Sequence, residues 1–371
     1  MSSEHNVNVV RIGDIEKHPD ADTLGITDVD GRPCIVRLGD FKTGDLAIYV
    51  PVDSVVPTNT PSFAFLADRA KKDKFRVRAM RLRGIFSMGL VIPLPKCSAC
   101  SGHGGTWGQE NLYSPLEHTS WNTCRQCDGE GVEPWDLGAE VSSRLGITVY
   151  EPPEVPLSGG SFSAGRTARD PGILPVYDIE SARKYHRLLN DGEEIVLTEK
   201  IHGANARFVF HDGALHVGSR NQFKDKDGGG MWWNLAIAND LESKLSQHPD
   251  VAVYGEAYGQ VQDLKYGLDG HQLIVFDVLD TKTRRWFDYD EMLDFARTLG
   301  LPTVPELWRG RWSESVKDEL WQLAEGATTV NGASHVREGW VLKPVVERFD
   351  RKLGRVIMKL HGEGYLTRKG G

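Results

Sequence analysis

The sequence predicts an α+β protein, mostly antiparallel β: a small N-terminal barrel carrying a metal-binding insert, then a domain of antiparallel sheets with flanking helices. Three observations predict it. Residues 7 to 57 hold four short strand-like runs separated by turns, with little helical period between them. Two copies of Cys-x-x-Cys-x-Gly-x-Gly follow, beginning at Cys97 and Cys124. Beyond residue 172 the strands lengthen and helical spacings appear among them.

The bounds are those of an ordinary globular chain. Its 371 residues suffice for two domains with cores, and 40% hydrophobic with 26% charged residues excludes collagenous and disordered classes. There is no apolar run of membrane-spanning length, and Met1-Ser2-Ser3-Glu4-His5 is not a signal peptide, so a cytoplasmic location and no membrane partner are expected. The formal net charge of −8 means that any nucleic-acid binding needs a local basic surface, since the overall field repels phosphate.

The four runs are Val7 to Ile12, Leu24 to Val29, Cys34 to Leu38 and Leu46 to Val50, with Asp30-Gly31 as a hairpin turn. Cys34 falls in a strand and reads as a small buried hydrophobe. A basic stretch follows from Arg69 to Arg83. Alternation over Phe75 to Leu82 puts Arg76 and Arg78 opposite Arg81, so these cations do not share one face. Arg76, Arg78, Arg81 and Arg83 are candidates for a phosphate track, the bland alternative being a solvated edge strand protected by charge.

In the two cysteine motifs, thiolates separated by two residues fit adjacent corners of a zinc tetrahedron, and the glycines permit the turns that aim them. A single pair would suit redox chemistry as well; two matched pairs favour structural zinc on Cys97, Cys100, Cys124 and Cys127. His103 and His118 are possible substitutes. Residues 151 to 172 are rich in Pro, Gly and Ser without periodicity and read as a linker, giving domains at 1–150, with the insert at about 96–132, and at 173–371. Leu235, Ala238, Leu241 and Leu245 recur at helical spacing, as do Val316, Leu320 and Leu323 between a candidate N-cap at Ser313 and a candidate C-cap at Gly326.

The second domain is organised around residues 194 to 205. Ile195, Leu197 and Ile201 alternate with Thr198, Lys200 and His202 as in a half-buried strand, which presents a lysine to a cleft, and Gly203 lets the backbone approach a ligand. A partly desolvated lysine can act as a nucleophile; alone it is more simply a solvated surface residue. Four further stretches change the balance. Arg220 ends a short strand, Glu256 follows Val251 to Gly255, Glu338 stands five residues before Lys343, and Lys359 shares a face with Arg355 and His361 opposite Val356, Met358 and Leu360. Carboxylates for hydrated Mg²⁺ and cations for a polyphosphate suit nucleotidyl transfer.

Three resemblances carry these readings further. The segment His18 to Leu24, with Phe41 to Pro51, resembles OB domains of the tRNA-binding type, and the cysteine repeats resemble the zinc-binding region of DnaJ-type chaperones. Residues 173 to 366 resemble the covalent nucleotidyltransferases, most closely the nick-sealing RNA ligases of the branch with an OB domain in front: Lys200-Ile201-His202-Gly203 with Asn205 as motif I, Arg220 in Ia, Glu256 in III, Phe276-Asp277 as IIIa, Glu338 to Lys343 as IV and Lys359 in V. The resemblance implies an OB-like barrel before a nucleotidyltransferase domain, and a catalytic set of Lys200, His202, Asn205, Glu256, Glu338, Lys343 and Lys359. It implies attack by Lys200 on ATP to give lysyl-AMP, transfer of AMP to an RNA 5′-phosphate, and sealing by a 3′-hydroxyl, with nicked duplex RNA as partner and no obligatory protein partner. Glu199, Ile201, Arg220 and Phe276 would complete the nucleotide site, Phe276 on adenine and Glu256 on ribose. Glu256 and Glu338 would hold Mg²⁺ or Mn²⁺, directly or through water.

The sequence departs from the pattern in motif V, where His361 stands in place of a second lysine. Rival expectations are a DNA-joining or RNA-capping transferase, and a zinc-containing RNA-binding module with a decayed transferase half.

Overall fold

The structure, a computed structural model, describes residues 5–109, 119–150, 167–227, 230–330 and 332–368. The chain forms two compact units, residues 3–151 and residues 152–371 together with residues 1 and 2.

In the first unit Leu46–Val50 runs between Asn8–Arg11 and Leu90–Pro93, antiparallel to both. Leu24–Val29 pairs with Arg32–Arg37 through Asp30-Gly31, whose φ angles of +52° and +76° are those of a tight hairpin turn. Alternation along these strands fills two small cores, one around Val9, Ile48, Val56 and Phe63, the other around Ile12, Cys34, Val36 and Tyr49. Cys34 is buried, and burial pushes its thiol up to about 12. The expected single run over Phe75 to Leu82 is corrected to two strands, Lys74–Arg76 and Met80–Leu82. The backbone of Val77 bonds instead to Asp53 and Ser54, and this breaks the ladder.

Among the described residues the second unit is built around two large sheets. One has seven strands centred on Ala204–His211, Val251–Gly259 and His271–Asp280; Met231–Ala238, Leu241–Ser246 and Tyr289–Thr298 pack helical faces onto it. The other has five strands, with Glu194–Glu199 between Gly339–Pro344 and Glu306–Arg311, and Met358–His361 beyond Gly339–Pro344.

The half-buried strand expected before Lys200 is corrected here. Glu194–Glu199 is buried on both faces, because Ile195 and Leu197 enter one core while Val196 enters another. Lys200 stands just past its end, half-buried.

The helical pattern through Leu245 is two helices, broken at Asp240 with φ +52°. The pattern after Ser313 gives a short 3₁₀ turn, Glu314–Val316, and the helix Lys317–Gln322, which stops before Gly326. Tyr289–Thr298 was not expected. Its signal is Asp288-x-x-Glu291, a capping box in which the Asp288 N–H donates to Glu291 Oε2 at 2.9 Å. Of the expected linker, residues 151–166 lie outside the described residues, and Thr167–Ala168 pairs with Phe223–Lys224 at the edge of the large sheet.

Candidate active site

The two sheets of the second unit face each other across a cleft of about 320 Å³. The seven-stranded sheet contributes Asn205, Glu256 and Phe276, the five-stranded sheet Thr198, Lys343 and Lys359, and Lys200 sits between them. Asn205 and Glu256 are cross-strand partners, so they share a face. Gly203 is required by packing: a Cβ there would lie 2.1 Å from the Ala257 carbonyl oxygen and 3.0 Å from Glu256 Cγ.

Lys200 Nζ donates to Glu338 Oε1 at 2.7 Å. Glu338 follows from its own backbone: Gly339 has φ +150°, and a Cβ there would meet the Leu360 carbonyl oxygen at 1.9 Å, so only glycine lets this strand lie against Met358–His361. Burial alone would raise the Glu338 carboxyl, but Lys200, His202 and His361 outweigh it and hold it well below the usual range. Burial pushes Glu256 up to about 8, with Lys200 opposing and Glu338 adding to the rise. The two carboxylates thus divide the work, one ionised and one protonated at neutral pH.

Glu338 Oε2 is buried without a hydrogen-bond partner, the kind of vacant acceptor that a divalent cation or its water satisfies. The ionised Glu338 is the donor that fits Mg²⁺ or Mn²⁺, and Glu256 could join it only on losing its proton.

His202 is 5% exposed and engaged at both nitrogens, Nε2 with Asp263 Oδ1 at 2.7 Å and Nδ1 with the Tyr365 hydroxyl at 2.9 Å. Burial works against its charge, but Asp263 and Glu338 raise its pKa above the ordinary value. Arg368 in turn bonds Asp263 through Nε at 3.0 Å and Nη2 at 3.2 Å. Asp263, Tyr365 and Arg368 escaped the sequence reading because none sits in a motif; only the chain fold brings them to His202.

The remaining expected residues divide. Phe276 lies in the cleft wall with its ring centroid 4.8 Å from that of Tyr177. Glu199 and Ile201 line the cleft, with the Glu199 carboxylate bonded to Thr328, to Thr329 N at 2.9 Å and to Thr329 Oγ1 at 2.7 Å, and Ile201 packed with Tyr258 and Tyr266. Arg220 pairs with Asp178.

Lys343 is 4% exposed, and its ammonium bonds Asp277 Oδ1 at 2.9 Å. Asp277 also takes Arg355 Nη2 at 2.6 Å and the Tyr177 hydroxyl at 2.6 Å, so a buried charge network lies beneath the ring of Tyr177. Lys359 lines the cleft half-buried.

In the first unit the four arginines are not equivalent. Arg76 is committed to Asp53 at 2.8 Å and lies 3.7 Å over the Tyr150 ring, whereas Arg78, Arg81 and Arg83 are exposed. The sulfurs of Cys97, Cys100, Cys124 and Cys127 all lie within 4.8 Å of one another, with 3.9 Å from Cys97 to Cys124 and 3.7 Å from Cys100 to Cys127. A zinc tetrahedron with bonds of about 2.3 Å has an edge of about 3.8 Å, so the donors fit that ion. His103 is exposed outside this set, and His118 lies outside the described residues.

The RNA ligase family model matches residues 193–361, the span that holds Lys200, Glu256, Glu338 and Lys359. The chain carries an RNA ligase domain. Its enzyme class is RNA ligase, and an OB-fold domain model matches residues 6–94 ahead of the ligase domain.

Among solved structures the chain resembles Naegleria gruberi RNA ligase. A lysine-to-alanine variant of that enzyme with ATP and Mn gives a TM-score of 0.77 at 21% identity, over 99% of this chain and 98% of that one. The form with PPi gives 0.76 at 22% over 98% of each, and a glutamate-to-alanine variant with AMP and Mn gives 0.76 at 22% over 98% of each. At such identity the likeness establishes the fold that the two share. No curated protein sequence matches this chain. No described helix is long and apolar enough to cross a membrane.

Proposed function

We propose that the ligase domain performs ATP-dependent sealing of RNA 3′-hydroxyl and 5′-phosphate ends at nicks in duplexes. The observation that carries this is the Lys200–Glu338 contact of 2.7 Å at the centre of the cleft. There a nucleophile, two carboxylates of opposite protonation and the cation of Lys359 surround space for a nucleotide.

The steps follow from those groups. ATP enters with its base beside Phe276 and its ribose toward Glu256, whose protonated carboxyl can donate to a hydroxyl. Lys200 gives up its proton and its Nζ attacks the α-phosphorus, and pyrophosphate leaves. An oxygen of the RNA 5′-phosphate then attacks the same phosphorus, releasing Lys200 and leaving AMP joined to the RNA end by a pyrophosphate linkage. The 3′-hydroxyl attacks the RNA 5′-phosphorus, and AMP leaves as the strand closes.

Mg²⁺ or Mn²⁺ held by the ionised Glu338, joined by Glu256 only once it loses its proton, would neutralise the charge that develops on phosphate oxygens. Arg220 and Lys359 serve the polyphosphate, Arg220 exchanging Asp178 for phosphate oxygens. Lys343 acts from below, fixing the cleft floor through Asp277. The relatives solved with ATP, AMP, Mn and PPi support this reading.

The OB domain would grip the nucleic acid through Arg78, Arg81 and Arg83, and zinc on the four cysteines would hold the insert. Four thiols kept reduced suit a cytoplasmic site. The domain limits, 1–150 and 173–371, complete the proposal.

Incubation with ATP labelled on the α-phosphate and Mg²⁺ or Mn²⁺, followed by denaturing electrophoresis, tests it. A labelled band absent from Lys200→Ala is expected. No band from folded, zinc-loaded protein would overturn the reading in favour of an RNA-binding module. A label from GTP, or sealing only of DNA 3′-hydroxyl strands, would shift it to a capping or DNA-joining enzyme.

A further inference from the structure

Between the cleft strands Gly339–Pro344 and Met358–His361 runs a small hairpin, Phe349–Asp350 paired with Gly354–Arg355. A connection of this length needs only turn chemistry. This one is anchored well beyond that. Arg348 Nη2 donates to Glu193 Oε2 at 2.7 Å and to the Leu188 carbonyl at 2.8 Å, Arg355 Nε donates to Glu347 Oε2 at 2.8 Å, and the Glu347 N–H donates to Asp288 Oδ1 at 2.8 Å. Within the turn the Asp350 carboxylate accepts from the N–H groups of Lys352 and Leu353 at 2.7 and 3.2 Å.

What this rigid mount displays is unusual for a connector. Val346 and Phe349 are 66% and 65% exposed. Arg351 and Lys352 are exposed and enter no ion pair among the described residues. Leu353 packs against the same core as Tyr185 and Leu188. In a chain of net charge −8, an exposed aromatic ring on the same anchored hairpin as two exposed cations matches the chemistry of a polynucleotide, whose phosphates need cations and whose bases offer flat apolar faces.

We infer that this hairpin is a contact surface for the RNA being sealed, with Arg351 and Lys352 on backbone phosphates and Phe349 against a base or ribose. The inference rests on the ligase reading for the identity of its RNA, but its test is binding, which does not depend on catalysis.

The experiment compares the full chain with the Phe349→Ala/Arg351→Ala/Lys352→Ala variant. Affinity for a nicked RNA duplex is measured by fluorescence anisotropy at several salt concentrations, and lysyl-AMP formation is measured alongside. The variant is expected to bind roughly tenfold or more weakly, with a log–log salt slope shallower by about two, and to form lysyl-AMP at the parental rate. Affinity and slope equal to the parent would overturn the inference, as would a parent that binds no RNA. A variant that loses only self-association would overturn it too, by giving the surface to a second copy of the chain. Loss of RNA affinity in the variant of a parent that makes no lysyl-AMP would leave the surface standing and sink the ligase reading alone.

Discussion

Lys200 Nζ and Glu338 Oε1, separated by 138 residues of sequence, meet at 2.7 Å. The nucleophile is held by the carboxylate proposed to hold the metal, so charge on Glu338 positions the lysine before ATP arrives. Replacement by an amide of the same shape removes that attraction. Glu338→Gln is expected to lower lysyl-AMP formation by about two orders of magnitude or more, read from the labelled band, with the fold retained by circular dichroism.

The Asp263–His202 contact gives a prediction with a pH window. His202 has a raised pKa from the ordinary 6.5, so its contribution is fully present below that value and is lost as pH rises through the folded pKa. Asp263 is lowered from 3.8, so its contribution is present above 3.8 and is lost as pH falls. Asp263→Asn should therefore lower the melting temperature most between about pH 4 and 6.5 and progressively less above. A melting-temperature difference that does not vary from pH 5 to 9 would refute the coupling.

Glu256 has the opposite sense. Its pKa is raised from 4.5 to about 8, so the folded state holds a proton that the unfolded state has lost, and stability falls as pH rises from 4.5 to 8. Glu256→Gln removes this penalty. In metal-free buffer at pH 8 the variant should be more stable than the parent by on the order of 1 to 3 kcal/mol, and no more stable at pH 5, by urea unfolding.

For the four thiols, one zinc per chain is expected from metal analysis. Cys124→Ser should abolish it and lower the melting temperature of the first unit, since the insert between the motifs is held by its metal. Lysyl-AMP formation should persist, because Lys200 and its partners all lie in the other unit.

Much of this protein is written locally. The alternation of Leu24–Val29 and the continuous apolar run Leu46–Val50 name those strands to the residue, and the paired cysteine motifs name a cluster the fold then closes. Glu256 and Glu338 each stand beside a glycine and Lys200 three residues before one, and all three glycines are required by the approach of backbone carbonyls.

What stayed illegible depends on distant packing. The destination of Lys343 is set by Asp277, 66 residues away, and that of Arg76 by Asp53 and Tyr150. Nothing local announces that Glu194–Glu199 is a central strand, because burial on both faces comes from layers that the sequence supplies elsewhere. The helix Tyr289–Thr298 was missed although its capping box was in plain view.

That central strand has a mechanical consequence. Val196 belongs to the core beneath the seven-stranded sheet, while Ile195 and Leu197 belong to the core of the five-stranded sheet, and Ile201 belongs to a third cluster with Tyr258 and Tyr266. Lys200 therefore hangs from a seam stitched into three separately packed regions. Loosening any one of them displaces the nucleophile, so adduct formation should fade on warming before the chain melts.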